Sequence, residues 1–405
     1  MLAFVEVGSA GPRKVEEMNS LPPYGQPFAT PQLSSLSAAK LGNLRGSISR
    51  AGAVDGRLGP IEWMIAGVDG KWLVGAGPFA HWIIDRARPT ATTAIDVSGG
   101  SFISMVSKDR YIFNSGSSLV VRRLRPFADW HSDNAITVRL DKFGGTSIPY
   151  GIYTLVDEFT LVSQMIGHPG KPSFRELCVS RKSYEDLRPD MRWSTCLSAT
   201  SARSPFLSDG TLVLFFPDSL RIIDSEGKET ATIKATLKPG MVSVDAHDLI
   251  WGYSATSPEL LAFNRLGKQV AQVPFSGGTP TQPPVALADG RIVAVTADGL
   301  ECIRDQKSEW QATFAKLPGL GPVVQPKPAK RPGIDLSGGQ DPLATASVNG
   351  KLLVKRGSWL MLFDDGPTPV WIRQVPGGKF ITSNVVITSD GAAYFAAGLE
   401  YFRIE

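Results

Sequence analysis

The residues of this chain that could do chemistry are few. Its four histidines, His81, His131, His168 and His247, show neither H-x-x-x-H nor H-E-x-x-H spacing. The tightest polar group is "DAHD", where Asp245, His247 and Asp248 place three potential metal ligands within four residues. The same residue types build turns, and the group falls between two β-rich runs, so it reads as a turn. "WHSD" (130–133) offers His131 and Asp133 as an acid–base pair but sits in an insertion and reads as a solvated loop. "SGGS" (98–101) and "FSGGT" (275–279) lack the lysine and helix that a phosphate cradle needs, and no G-x-S-x-G elbow is present. Cys178, Cys196 and Cys302 are an odd set without C-x-x-C spacing, so they predict neither a zinc site nor a disulfide framework, but free thiols. No catalytic residue, metal ligand or cofactor is assigned from these patterns.

The elements that hold these residues recur. Small polar turn pairs separating two β-rich runs begin at Asp69, Asp109, Asp157, Asp209, Asp248, Asp289, Asn349 and Asp390, at intervals of 40, 48, 52, 39, 41, 60 and 41 residues. The text after them is similar: "DGRIVAVTADGLECIRDQKSEW" from Asp289, "DGTLVLFFPDSLRIID" from Asp209, "NGKLLVKRGSWLMLFDD" from Asn349. Alternating apolar runs indicate strands, and Asp-Gly or Asn-Gly supplies the positive φ of a tight hairpin. Four strands in a unit of about 40 residues predict a β-propeller blade. The fold expected is all-β: an eight-bladed propeller of four-stranded antiparallel blades over 41–405, with an irregular arm over 1–40. Seven blades is the alternative, because the Asp157 unit matches least well. The last anchor is followed by two strands, so a strand near 45–54 is expected to complete the final blade and close the ring.

"ADGLECIRDQKSEW" (297–310) resembles the repeat of pyrroloquinoline-quinone-type propellers, and 350–371 is similar, with Trp371 in the tryptophan position. Through its repeat the chain also resembles WD-repeat-like propellers. The resemblance implies the fold. The quinone enzymes carry adjacent cysteines, absent here, so no quinone is expected. Trp310 and Trp371 are expected to fill blade-to-blade packing.

Hydrophobic residues make up 42% of the 405 and charged residues 20%, enough to bury a core. The net charge of +4, from 42 Lys+Arg against 38 Asp+Glu, is small for this length and does not by itself call for nucleic acid. No apolar run reaches the roughly 18 residues of a spanning helix, and the first residues lack a signal-peptide pattern. A cytoplasmic protein with no membrane partner is the expectation.

Three stretches exceed the period: 126–135, 180–193 and 318–342. Long loops on a rigid ring carry binding residues, and aromatic and arginine side chains dominate interfaces. Trp130, Tyr184, Arg188 and Trp193, with the basic Lys327, Lys330 and Arg331, are therefore the expected contacts for a protein partner. The function expected is a non-catalytic scaffold within a larger assembly. The alternatives are an enzyme with a site at the mouth of the central channel, and a binder of nucleic acid or another anion through the basic insertions, which is not favoured.

Overall fold

The computed structural model describes residues 40–67, 70–77, 80–88, 205, 207, 211–215, 219–224, 228–321 and 341–405, together with Leu36–Ser37 and the strands between 92 and 197. Among the described residues there is no α-helix, and the strands fall into eight sheets. Two short strands come first, β1 (Leu36–Ser37) and β2 (Ile48–Ala53). Sheet I holds β3 (Trp63–Ala66), β4 (Trp72–Ala76), β5 (Ala80–Asp85) and β6 (Thr92–Asp96). Sheet II holds β7 (Ile103–Ser107), β8 (Arg110–Ser115), β9 (Ser118–Arg123) and β10 (Ile136–Arg139). Sheet III holds β11 (Ile152–Leu155), β12 (Thr160–Ile166), β13 (Leu177–Ser183) and β14 (Ser194–Leu197). Sheet IV has β15 (Leu212–Phe215), β16 (Leu220–Ile223) and β17 (Glu229–Ile233). Beside β15, Val213 N–H donates to Pro205 O at 3.0 Å and Leu207 N–H to Thr211 O at 2.8 Å, so this stretch occupies the place of a first strand.

Sheet V holds β18 (Leu237–Val244), β19 (Ile250–Ser254), β20 (Glu259–Phe263) and β21 (Gln269–Pro274). Sheet VI holds β22 (Val285–Ala286), β23 (Ile292–Thr296), β24 (Gly299–Arg304) and β25 (Lys307–Thr313). Sheet VII holds β26 (Leu343–Ser347), β27 (Leu352–Arg356), β28 (Trp359–Phe363) and β29 (Trp371–Gln374), with β1 parallel to β26. Sheet VIII holds β30 (Val386–Ile387), β31 (Ala393–Ala397) and β32 (Glu400–Ile404), and its fourth strand is β2, antiparallel to β32.

The turn pairs read from the sequence at Asp248, Asp289, Asn349 and Asp390 lie where the first strand of a sheet gives way to its second, and those at Asp69, Asp109, Asp157 and Asp209 begin outside the described residues. Gly290 and Gly391, second residues of two such turns, have φ of 85° and 81°, which a side chain would disfavour. In each sheet successive strands are antiparallel. The first-to-second and third-to-fourth turns therefore emerge at one end, and the second-to-third turns and the crossovers to the next sheet at the other.

The sheets stand face to face, and alternation along each strand serves two interfaces at once. On β27, Leu352 and Val354 pack toward sheet VI, while Leu353 packs toward sheet VIII. On β31, Phe395 faces sheet VII, while Tyr394 and Ala396 face sheet I. Trp310 stacks on Phe363 of the next sheet at 6.2 Å between centroids, 7° from parallel. Trp371 is buried, and its Nε1 donates to Leu44 O at 3.0 Å. Both tryptophans fill sheet-to-sheet contacts, as their spacing suggests.

Neighbouring first strands are too far apart to form a ladder, so side chains bridge them. Asn384 Oδ1 accepts from Met64 N at 2.9 Å and its Nδ2 donates to Met64 O at 3.0 Å, tying sheet VIII to sheet I. Gln282 does the same with Ala344 N (2.7 Å) and Ala344 O (3.2 Å), between sheets VI and VII. Thr382 Oγ1 donates to Ile61 O at 2.6 Å and Thr281 Oγ1 to Pro342 O at 2.7 Å, in matching places.

One boundary differs from the sequence reading. Residues 180–183, assigned to an insertion over 180–193, complete β13 and pair with β12, Arg181 opposite Val162 and Lys182 opposite Leu161. Mixed charge there suggested a loop, but charged residues are compatible with a strand that has one solvated face.

Removing the Asn384 amide would leave both polar groups of Met64 unpaired in a buried setting. Urea unfolding of Asn384→Ala should show a loss of ~2–4 kcal/mol, and Asn264→Ala, which removes two exposed turn bonds, a smaller loss of ~1 kcal/mol. Equal losses at the two positions would contradict the bridging role.

Candidate functional site

The residues chosen from sequence as contacts, Trp130, Tyr184, Arg188, Trp193, Lys327, Lys330 and Arg331, lie outside the described residues. The strands that flank them are described, and they separate the set. The stretches carrying Trp130 and Tyr184–Trp193 join third to fourth strands, β9 to β10 and β13 to β14, at the Asp-Gly end of their sheets. The stretch carrying Lys327, Lys330 and Arg331 joins β25 to β26, a crossover at the opposite end.

The "DAHD" group is a turn with its carboxylate engaged. Asp245 is 4% exposed. Its Oδ1 accepts from His247 N (2.8 Å) and Leu249 N (3.0 Å), and its Oδ2 from Trp251 Nε1 (2.8 Å). Burial raises its pKa, and these bonds oppose that rise. Asp248 takes φ 60°, the left-handed conformation a turn needs where no glycine follows.

Cys302 lies in β24, buried between sheets VI and VII. Burial pushes its thiol up to about 12, so it is a poor nucleophile at neutral pH. Beside it Arg291, 5% exposed, bridges Asp289 at 2.7 Å and Asp365 of the next sheet, and Arg304 reaches Asp289 and Glu309 at 3.5 and 3.4 Å. The other two cysteines are brought together by register: Cys178 on β13 is the direct partner of Cys196 on β14. Their spacing of 18 residues carries no sign of that.

A polar cleft of about 200 Å³ opens between sheets VIII and I. Arg86, just after β5, is its fixed post. Its Nε donates to Tyr394 Oη at 3.0 Å, Nη2 to Asp390 at 2.6 Å and Nη1 to Gly70 O. Burial opposes the Arg86 charge, and the bonds to Asp390 and Tyr394 outweigh it, holding its pKa above the usual value. Across the cleft are Arg403, whose Nη1 meets Glu405 at 2.9 Å, and Arg50, whose Nε meets Glu400 at 3.1 Å. A bulge in β2 between Arg50 and Gly52 brings Arg50 and Ala51 both to the cleft. Gly52 has no side chain because the Tyr401 ring lies against its Cα.

No family model matches the sequence, and none of the curated proteins matches it. Solved structures do match. BamB from Moraxella catarrhalis aligns with a TM-score of 0.57 and 12% identity, over 89% of this chain and 99% of that one. Hsv2 from Kluyveromyces lactis aligns at 0.50 with 14% identity, over 78% and 100%. Hsv2 from Kluyveromyces marxianus aligns at 0.51 with 15% identity, over 78% and 99%. The chain has a β-propeller-like fold. At these identities the likeness concerns the fold alone. The sheets are accordingly called blades below.

One charge lies in the core of blade VII. Lys355 on β27 is 1% exposed, and its Nζ has no hydrogen-bond partner. Burial pulls its pKa down to about 8, against the opposing charge of Asp341. Burial in turn raises Asp341, whose carboxylate accepts from Gly357 N at 2.8 and 3.0 Å and also feels Arg356. Because the folded pKa lies below the unfolded value of 10.5, the unfolded chain binds more protons between about pH 8 and 10.5, and stability rises with pH across that window. Lys355→Met should therefore be more stable than wild type by ~2 kcal/mol at pH 7, the gap closing as pH approaches 10.5. Urea melts at pH 7, 8.5 and 10 check this; a gap independent of pH would contradict it.

Proposed function

We propose that the chain is a non-catalytic, eight-bladed β-propeller over residues 41–405, with an arm over 1–40, that serves as a rigid platform presenting loops to a protein partner within a larger cytoplasmic assembly. In this reading β2 closes the ring by completing blade VIII. The observation that carries the proposal is the make-up of the first strands. β3 meets β30 and β7, β7 meets β11, and β22 meets β18 and β26, so these strands line the middle of the fold. They read WMIA, ISMVS, IYTL, LKPGMVSV, VA, LATAS and VI in β3, β7, β11, β18, β22, β26 and β30: apolar residues, Trp63 and Tyr153 among them, and small hydroxyl residues, with Lys238 the single charge. Lining of this kind supports a platform over a channel-mouth enzyme, which would gather carboxylates and histidines there. Arg86, Arg291 and Asp245 are likewise engaged with neighbouring groups.

On a rigid ring, extending a surface loop adds closure entropy only slowly, so loops can vary while the blades persist. Binding by Trp130, Tyr184, Arg188 and Trp193 would use the Asp-Gly end, and binding by Lys327, Lys330 and Arg331 the other. Two variants distinguish these: 321–339 replaced by a short Gly/Ser loop, and Tyr184→Ala combined with Trp193→Ala. Both should melt like wild type, and at least one should lose a protein that co-purifies with the wild-type chain from native lysate. Retention of every co-purifying protein at wild-type level by both folded variants would refute the loops as the interface.

A further inference from the structure

The cleft between blades VIII and I is lined by guanidinium and hydroxyl groups that keep hydrogen-bonding capacity beyond their partners within the chain. Arg403 Nε is buried and has no hydrogen-bond partner, although the Nη1 of the same guanidinium meets Glu405 at 2.9 Å. The indole N–H groups of Trp82, Trp310 and Trp359 are likewise buried without a partner, and what sets the Arg403 guanidinium apart is that it lines an open polar cleft. Arg86 donates to Tyr394 Oη, so that hydroxyl acts as acceptor there and keeps its own proton to give. Arg50, with a side chain 60% exposed, uses Nε on Glu400 and brings its remaining N–H groups to the rim of the same cleft. Ser49 adds another hydroxyl, and Leu73 and Ile84 supply apolar wall.

Three guanidinium groups line this space, each held by one carboxylate, Arg86 by Asp390, Arg50 by Glu400 and Arg403 by Glu405, and of these carboxylates Glu405 alone stands in the lining. Glu405 already shows the chemistry the cleft accepts, a carboxylate on the fork of Arg403. Guanidinium forks match the paired oxygens of carboxylates and phosphates. The volume, about 200 Å³, is below that of pockets for drug-sized ligands, which start near 300 Å³.

From these observations we propose that the cleft is a binding site for a small oxyanion, a phosphate monoester or a compact carboxylate, held by Arg403, Arg50 and the hydroxyl of Tyr394, with Arg86 fixing Tyr394 in place. Glu405, with its side chain 54% exposed, swings aside or shares Arg403 when the oxyanion enters. The site stands on the flank of two blades and is independent of the loops proposed to bind a protein.

Calorimetric titration of the full chain with inorganic phosphate and, separately, with malonate, at constant ionic strength set by sodium chloride, tests this. Saturable binding of one equivalent is expected for at least one probe, and which probe binds tells phosphate from carboxylate. Arg403→Gln and Arg50→Gln should each weaken it ~10–100-fold, the size of a lost charge-assisted hydrogen bond, and Tyr394→Phe should weaken it less. Arg50 is exposed, so its variant keeps the test valid even where Arg403→Gln fails to fold. Glu405→Gln should tighten binding by removing the competing carboxylate. Absence of saturable binding by either probe would overturn the proposal, as would binding that Arg50→Gln and Arg403→Gln leave unchanged.

Discussion

A sheet that is apolar on both faces cannot stand in water alone, and sheets VII and VIII are of that kind. Their inner strands alternate so that one residue belongs to the interface before it and the next to the interface behind it, as Leu353 and Val354 do in blade VII and Phe395 and Tyr394 do in blade VIII. Burying both faces requires a neighbour on each side. The free edge raises a second demand, since an open row of backbone groups on β32 would invite foreign strands. β2 meets that demand: it reaches Ile404 with Ile48 and Glu400 with Ala53, linking positions more than 300 residues apart in sequence.

Within this frame polar chemistry is largely internal. The amides of Asn384 and Gln282 act as substitute backbone where two first strands pass without a ladder, and the arginines join the turns of one blade to the next. Such pairs fix the position of a blade relative to its neighbour, which apolar contact alone specifies loosely. Lys355 is the exception: a core charge facing only Asp341 at a distance, in a strand whose other residues are apolar or at the rim. Among the described residues the Arg403 Nε and the indole N–H groups of Trp82, Trp310 and Trp359 are also buried without a partner, and the Arg403 donor lies beside the cleft where the surface opens.

The repeat was legible in the sequence because it is local. A small polar turn pair and a five-residue alternation are each read within one window, and they place the four turns at Asp248, Asp289, Asn349 and Asp390 that fall on described residues. A partner strand near 45–54 was also expected, since two strands alone follow Asp390, and β2 at Ile48–Ala53 pairs with β32. What the residues did not give is pairing across long separations. Arg86 and Asp390 stand 304 positions apart, Asn384 and Met64 320, and no motif marks either. The facing of Cys178 and Cys196 depends on the length of the turn between β13 and β14, which composition does not encode. Charge misled at Arg181 and Lys182, where a strand was read as a loop. The cleft was missed for the same reason as the long-range pairs: its arginines come from β2, β32 and the turn after β5, brought together only by the packing of two blades.

Hydrogen exchange over residues 48–53 of the full chain tests the dependence of the fold on β2 most directly. If β2 completes blade VIII as its pairing with β32 indicates, its bonded amides exchange as slowly as those of β31 and β32, through the same unfolding event. Exchange of 48–53 at the rate of an unstructured peptide, with β31 and β32 still protected, would contradict the account.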